Sequence, residues 1–154
     1  MTAWLGKWRA RKVDKALNYL SLAKKARLIE LGEEPAEAAT RAGKARLVVV
    51  AEDAADHTWR RAKSFVAGTE QKCIRVPFTK DRMGAAAGRS ALAMAAFTDA
   101  ALALAFVKAL QQPETYREAL ESLEKQSKAI QQRQKEARAA QRNKAMGKAR
   151  FGKK

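Results

Sequence analysis

Cysteine and histidine are almost absent: the 154-residue chain has one of each, Cys73 and His57. A lone cysteine excludes an internal disulfide, and one cysteine with one histidine excludes a Cys/His zinc site. The missing disulfide framework fits a reducing, cytoplasmic setting. Proline is scarce, at Pro35, Pro77 and Pro113, and each marks the edge of an element. No apolar run reaches the roughly 18 residues of a membrane span, and the N-terminus has no apolar signal-peptide core. Residues 1–13 are Arg-rich and acid-poor, as a transit peptide would be, but Asp14 and a smooth run into a helical pattern argue against that reading. There is no glycine-rich cofactor loop and no Ser/His/Asp, Cys/His or metal set. The expectation is a non-enzyme with no cofactor and no small-molecule substrate.

Acidic residues number half the basic ones, 16 against 32, for a formal net charge of +16. Such an excess favours polyanions, nucleic acid first and anionic membrane second. Its distribution is uneven. Residues 1–27 hold eight basic and one acidic side chain, residues 125–154 hold eleven and one, and residues 28–124 hold thirteen and fourteen. An electrically ordinary core thus sits between two basic ends. A membrane-binding helix would need an apolar face, which the tail lacks after Ile130. Blocks of this kind bind RNA through phosphate neutralisation.

Along the chain, residues 14–26 place Ala16, Leu17, Leu20 and Ala23 on one helical stripe, with Leu22 a further candidate for it. Arg27 to Leu31 reads as a brief strand, and Gly32-Glu33-Glu34-Pro35 opens a helix closed by Gly43. Leu47 to Ala51 is a β-branched run of the kind buried on both faces. Glu52, Asp53 and Asp56 follow it, where an α/β enzyme would place a site. With His57 as the sole histidine, they are read instead as a turn with Asp56 capping helix 57–67, and His57 as a surface residue. Trp59, Ala62, Phe65 and Val66 are expected to face inward. Cys73 to Val76 is a third strand, with Cys73 buried and inert. Thr79 or Asp81 caps helix 80–87, Ala91 to Phe97 is an alanine-rich fourth strand, and Thr98 or Asp99 caps helix 99–111. The alternation predicts an α/β fold: a three-layer α-β-α sandwich with a short, mostly four-stranded central sheet. Beyond Pro113, residues 114–145 read as one long basic helix whose seam (Tyr116, Leu120, Leu123, Ser127, Ile130) fades after Ile130. Its first half should pack and its second should be solvated or RNA-bound, with Gly147 to Lys154 disordered. The domain plan is a basic arm at 1–13, an α/β domain at 14–111 and a basic helical extension at 112–154.

Four stretches of the middle resemble one family: Leu20 to Arg27 (LSLAKKAR), Gly32 to Gly43 with its spacing, Lys44 to Asp53 (KARLVVVAED), and Met83 to Gly88 before a strand ending in Phe97-Thr98-Asp99. The domain is similar to the ribosomal protein seven-Ae and thirty-e superfamily of kink-turn RNA binders, and most like its small bacterial YlxQ-like branch. The resemblance implies recognition of structured RNA through the turn before the second helix, and through the loop before the last strand, which covers an extruded nucleotide. The implied RNA-binding residues are Gly32, Glu33 and Glu34 in the turn and Arg89, Ser90, Ala91 and Leu92 in the loop. Arg41, Lys44 and Arg46 are expected to contact the backbone beside that face. The turn departs from the family's "G-x-N-E": Glu34 stands at the Asn position and Pro35 at the Glu position. The family's basic residue in the second helix falls at Ala38. A carboxylate accepts from guanine or cytosine but cannot donate as an amide does.

The expected partner is therefore structured RNA, rRNA or the ribosome, bound by a monomer with no membrane involvement. Trp4 and Trp8, set among basic residues, either stack on bases or pack on the domain. Two other classes share the fold: an RNA-recognition accessory domain of an RNA-modifying enzyme, and a protein-interaction module of the growth-arrest type. No room remains for the catalytic domain the first would need, and relatives of the second tend to be acidic.

Overall fold

The computed structural model of the chain describes the backbone of residues 2–151 and the side chains of residues 14–146. In chain order the elements are α1 (Thr2–Ala26), β1 (Ile29–Leu31), α2 (Glu33–Arg41), β2 (Leu47–Val50), α3 (Asp56–Val66), β3 (Lys72–Arg75), α4 (Lys80–Ala87), β4 (Met94–Phe97), α5 (Ala100–Ala109) and α6 (Arg117–Phe151). The strands form one open mixed sheet in the order β1-β4-β2-β3. β4 runs antiparallel to both β1 and β2, and β3 runs parallel to β2. On one side α1, α5 and α6 pack side by side, with α4 against α1; α2 and α3 pack together over the strands on the other. This is the α-β-α sandwich that the alternation of patterns implies.

The two central strands are buried along their whole length. In β2 this follows from Leu47-Val48-Val49-Val50, a run that suits a pleated surface covered on both faces. In β4, Ala95 and Ala96 have weak strand propensity, yet both are fully buried. Their small side chains let helices approach from both sides, so tertiary packing overrides propensity. Phe97 meets Phe106 of α5 with ring centroids 5.0 Å apart. β3 forms one edge of the sheet, and α6 partly covers it: Tyr116 Oη donates to the Arg75 carbonyl at 2.9 Å.

Local chemistry decides the helix ends. Thr79 Oγ1 accepts from Arg82 N at 3.2 Å, and Asp99 Oδ2 accepts from Leu102 N at 2.9 Å. Asp56 caps nothing: Ala55 occupies the cap position of α3 without a side-chain bond. Its neighbour Asp53 reaches across and accepts from Lys80 N, at the first residue of α4, at 2.8 Å. Ala62 is the only buried member of the four residues expected to face inward from α3; Trp59, Phe65 and Val66 are half-buried. Arg75 and Lys63 lie 5.1 Å and 5.2 Å from the Trp59 ring centroid.

The long terminal helices differ from the sequence reading at their limits. α1 starts at Thr2, so helix continues through the segment read as an arm. The side chains of Trp4 and Trp8 lie outside the described residues. α6 continues to Phe151, past the expected end at 145. The disorder expected over Gly147 to Lys154 concerns residues whose side chains lie outside those described, and residues 152–154 lie outside them altogether. Burial along α6 fades after Ile130 as the seam implied, but the seam itself is shifted. Leu123, like Tyr116 just before the helix, is buried, Leu120, Ser127 and Ile130 are half-buried, and the buried places between them are taken by Ala119 and Gln126. Residues 131–146 are all exposed. No helix among the described residues is long and apolar enough to cross a membrane.

Candidate nucleic-acid interface

β1 delivers the chain to Gly32, whose φ of +102° is one that L side chains rarely adopt. Gly32 N donates to the Met94 carbonyl at 2.9 Å, and its carbonyl accepts from Ala36 N at 3.1 Å, closing the first turn of α2. Pro35 falls inside that turn, where its missing N–H costs nothing. Glu33 and Glu34 lie in the same turn and complement its positive end. Glu34 and Pro35 are exposed, whereas Glu33 is engaged. Arg61 of α3 places Nη1 2.9 Å from Glu33 Oε1 and Nη2 3.4 Å from Glu37 Oε2. The i, i+4 spacing of the two glutamates puts both on the α2 face that meets α3.

The loop after α4 lies against this turn. α4 ends at Gly88 in the left-handed conformation, and Arg89 N donates to the Gly84 carbonyl at 2.7 Å. Arg89 Nη1 then reaches the Leu31 carbonyl at 3.4 Å, one residue before Gly32. Arg89, Ser90 and Ala91 are exposed. Leu92 is not available to a ligand: it is 2% exposed and belongs to the core, and its N–H donates to the Lys80 carbonyl at 3.0 Å. The loop therefore presents three of its four candidate residues.

Arg41, Lys44 and Arg46 are elsewhere. Arg46 N donates to the Phe97 carbonyl at 2.6 Å, at the end of β4 opposite to Met94, which bonds Gly32. α2 carries the chain back along the sheet between the two places, a span of about 13 Å for nine residues. The expectation that these three cations flank the turn is thus corrected. The candidates form two groups at opposite ends of the strands. Arg41 also has a partner, Glu37 Oε1, at 2.5 Å.

The two ends differ in charge. At the turn end lie Glu33 and Glu34, and after β2 and β3 come Glu52, Asp53, Asp56 and Asp81, with Arg89, Lys80 and Arg82 among them. Arg82 is paired with Asp14 and lies 5.2 Å from the Phe78 ring centroid. No carboxylate cluster suited to a metal ion occurs among the described residues. At the other end, Arg46 and Lys44 precede β2, and Lys72 opens β3 directly beside Leu47. α6 passes this corner. Its Tyr116 bonds the C-terminal end of β3, and its Ser122 Oγ donates to the Glu70 carbonyl, just before β3, at 3.0 Å. α6 therefore runs antiparallel to β3 and leaves the sheet at the basic end. Between α6 and this corner is a groove of about 590 Å³ with Arg46, Lys72, Lys125 and Arg133 in its lining.

Sequence reasoning missed Lys72, Arg61 and Gln126. The i, i+4 pair Glu33 and Glu37 was a signal for Arg61, since two carboxylates on one helical face call for a cation opposite. Lys72 carried no signal, because its place depends on the parallel pairing of β2 with β3.

No protein-family model matches the sequence, and no curated protein matches it. Solved structures do. One is a protein of unknown function from Bacillus halodurans, with a TM-score of 0.59 and 24% identity over 64% of this chain and 98% of that one. Another is the Giardia lamblia 15.5kD RNA binding protein, with a TM-score of 0.54 and 20% identity over 66% of this chain and 88% of that one. The fold is shared. The match spans nearly the whole length of the Bacillus chain.

Proposed function

We propose that the protein binds structured RNA, as a non-enzymatic member of the ribosomal protein seven-Ae superfamily close to its YlxQ-like branch. The observation that carries this is the exposed half of α6. Over residues 131–146 every side chain is solvated, and Arg133, Lys135, Arg138, Arg142 and Lys144 face a single acid, Glu136. A solvated helix of this charge has no core to build, and phosphate is its natural counterpart. It leaves the sheet at the end that also carries Arg41, Lys44, Arg46 and Lys72. The fold is that of a protein named for RNA binding, which supports the same reading.

In this reading α6 and the basic end hold phosphates, while Gly32, Glu33 and Glu34 with Arg89, Ser90 and Ala91 read RNA shape at the other end. The RNA is kink-turn-like and ribosomal, and the protein acts as a cytoplasmic monomer. Glu34 can accept from guanine or cytosine but not donate, so the base pairs it favours differ from those of an amide-bearing turn.

The test is affinity against salt concentration for a kink-turn RNA and a duplex of equal length, for the full chain and for a chain ending at residue 130. Affinity should fall steeply with salt. Removing 131–154, which holds nine basic residues, should flatten the log–log slope by about 3 or 4. Preference for the kink-turn should survive the truncation. Equal binding of both RNAs by the full chain would refute shape recognition, and an unchanged slope would refute the role of α6.

A further inference from the structure

The groove between α6 and the Arg46–Lys72 corner contains a polar group that the fold leaves unused. Gln126 is 9% exposed. Its Nε2 donates to Ser122 Oγ at 2.9 Å, and Ser122 in turn donates to the Glu70 carbonyl. This chain fixes the amide with its nitrogen toward Ser122. Oε1 is left buried and accepts no hydrogen bond. A buried acceptor without a donor costs about 1–3 kcal/mol, which a ligand N–H would recover after a rotation of the Gln126 side chain that opens Oε1 to the groove.

We propose that this groove holds an unpaired RNA base, with guanine preferred, and that its sugar-phosphate lies along Lys125 and Arg133; the proposal rests on the RNA-binding reading above. The groove's volume, about 590 Å³, suits a nucleotide. Its cations are Arg46 and Lys72 on the sheet side and Lys125 and Arg133 on α6, while Ile130 gives an apolar surface for the face of a base. Toward the start of α6 the lining turns acidic, with Glu70, Glu118 and Glu121. That end repels phosphate and, with Gln126 Oε1, offers acceptors to a base edge. Guanine matches it because N1–H and the N2 amino group are adjacent donors. Adenine and cytosine put a ring acceptor beside their amino group, and uracil sets its single N–H between two carbonyls. The groove lies at the opposite end of the sheet from Gly32, so it adds a contact distinct from the turn.

The experiment measures fluorescence anisotropy of the full chain with an all-uridine 10-mer, the same 10-mer with one central guanosine, and one with inosine there, which keeps N1–H and lacks the amino group. The guanosine oligomer should bind about fivefold more tightly than the all-uridine one, the gain expected of one or two recovered hydrogen bonds, with inosine between. Gln126→Leu should abolish the preference, bringing the guanosine oligomer to the affinity of the all-uridine one, and melt no lower than the native chain. Arg133→Ala should weaken all three oligomers equally. Equal affinity of the native chain for the three oligomers overturns the proposal, as does a preference that persists in folded Gln126→Leu. These comparisons of native-chain ligands stand even where the variant fails to fold. If no RNA, structured or single-stranded, binds at low salt, the RNA reading itself fails; salt-sensitive binding of structured RNA without the guanosine preference removes the groove alone.

Discussion

At Gly84 a Cβ would stand 2.7 Å from Ala91 Cα and 2.9 Å from the Arg89 carbonyl oxygen. Both are backbone atoms, so neither can swing aside. Gly84→Ala should cost about 1–3 kcal/mol, the usual range for overpacking, and push the Arg89–Ala91 loop off the turn. Thermal melting reads the first effect and a weakened kink-turn preference the second. Cys73 and Tyr116 give a separate, pH-linked expectation. Burial pushes the Cys73 thiol above its ordinary 9.0 and the Tyr116 phenol above its ordinary 10.0. Folded chain therefore holds these protons more tightly than unfolded chain. Their contribution is fully present below pH 9.0 and is lost as pH rises through the folded-state values. Urea midpoints should fall as pH rises above 9.0, and less so in Cys73→Ala. Residue roles that depend on local geometry were legible in the sequence: Gly32 as a turn, Gly88 as a helix end. Those that depend on a distant neighbour were not. Asp53 caps a helix 27 positions away, and Leu92 is buried in the core with its N–H bonded to the Lys80 carbonyl.

Among the elements, α6 divides at Ile130 into a packed and a solvated half. Ending the chain at residue 130 should leave the melting temperature within about 2 °C of the native value, since exposed helix contributes little to stability. Ending it at residue 116 should lower it sharply, because Ala119, Leu123 and Gln126 are buried; calorimetry on the two truncations checks both. The division was readable from the heptad spacing, which places apolar residues on one seam as far as Ile130. β4 was the weakest element in the sequence, because alanine favours helix and its strand state depends on β1 and β2 pairing on either side. The N-terminal helix was foreshortened for a different reason. The chain's first thirteen residues are rich in Arg, Lys and Ala, which are good helix formers, yet the same composition is that of a basic arm.

The whole molecule has a carboxylate-rich end at the turn and a cationic end from which α6 leaves. The sequence showed a near-neutral middle segment, and that sum concealed two opposed halves. Charge sums carry no spatial information, and the antiparallel pairing that separates Gly32 from Arg46 joins residues more than 40 positions apart. Reversing Arg46 and Lys72 to Glu should weaken RNA binding by at least about tenfold at low salt, in line with lost phosphate contacts. Arg89→Glu should weaken the kink-turn more than the duplex. Filter binding with both RNAs separates the two effects, and equal losses on both RNAs from Arg89→Glu would place shape recognition away from the turn.

The attachment of α6 has a geometric consequence. Tyr116 and Ser122 pin its first turns to the two ends of β3, so the solvated portion cannot swing freely. It is a graduated arm: residues 131–146 span about 24 Å, at about 1.5 Å per residue. An RNA that touches both this arm and the turn must offer its two contact stretches at one separation and one azimuth. If the protein binds RNA as proposed, this makes it a gauge of distance along its target. Inserting four residues near Ile130 would lengthen the scale by about 6 Å with little rotation, whereas inserting two would aim the cations at the opposite side.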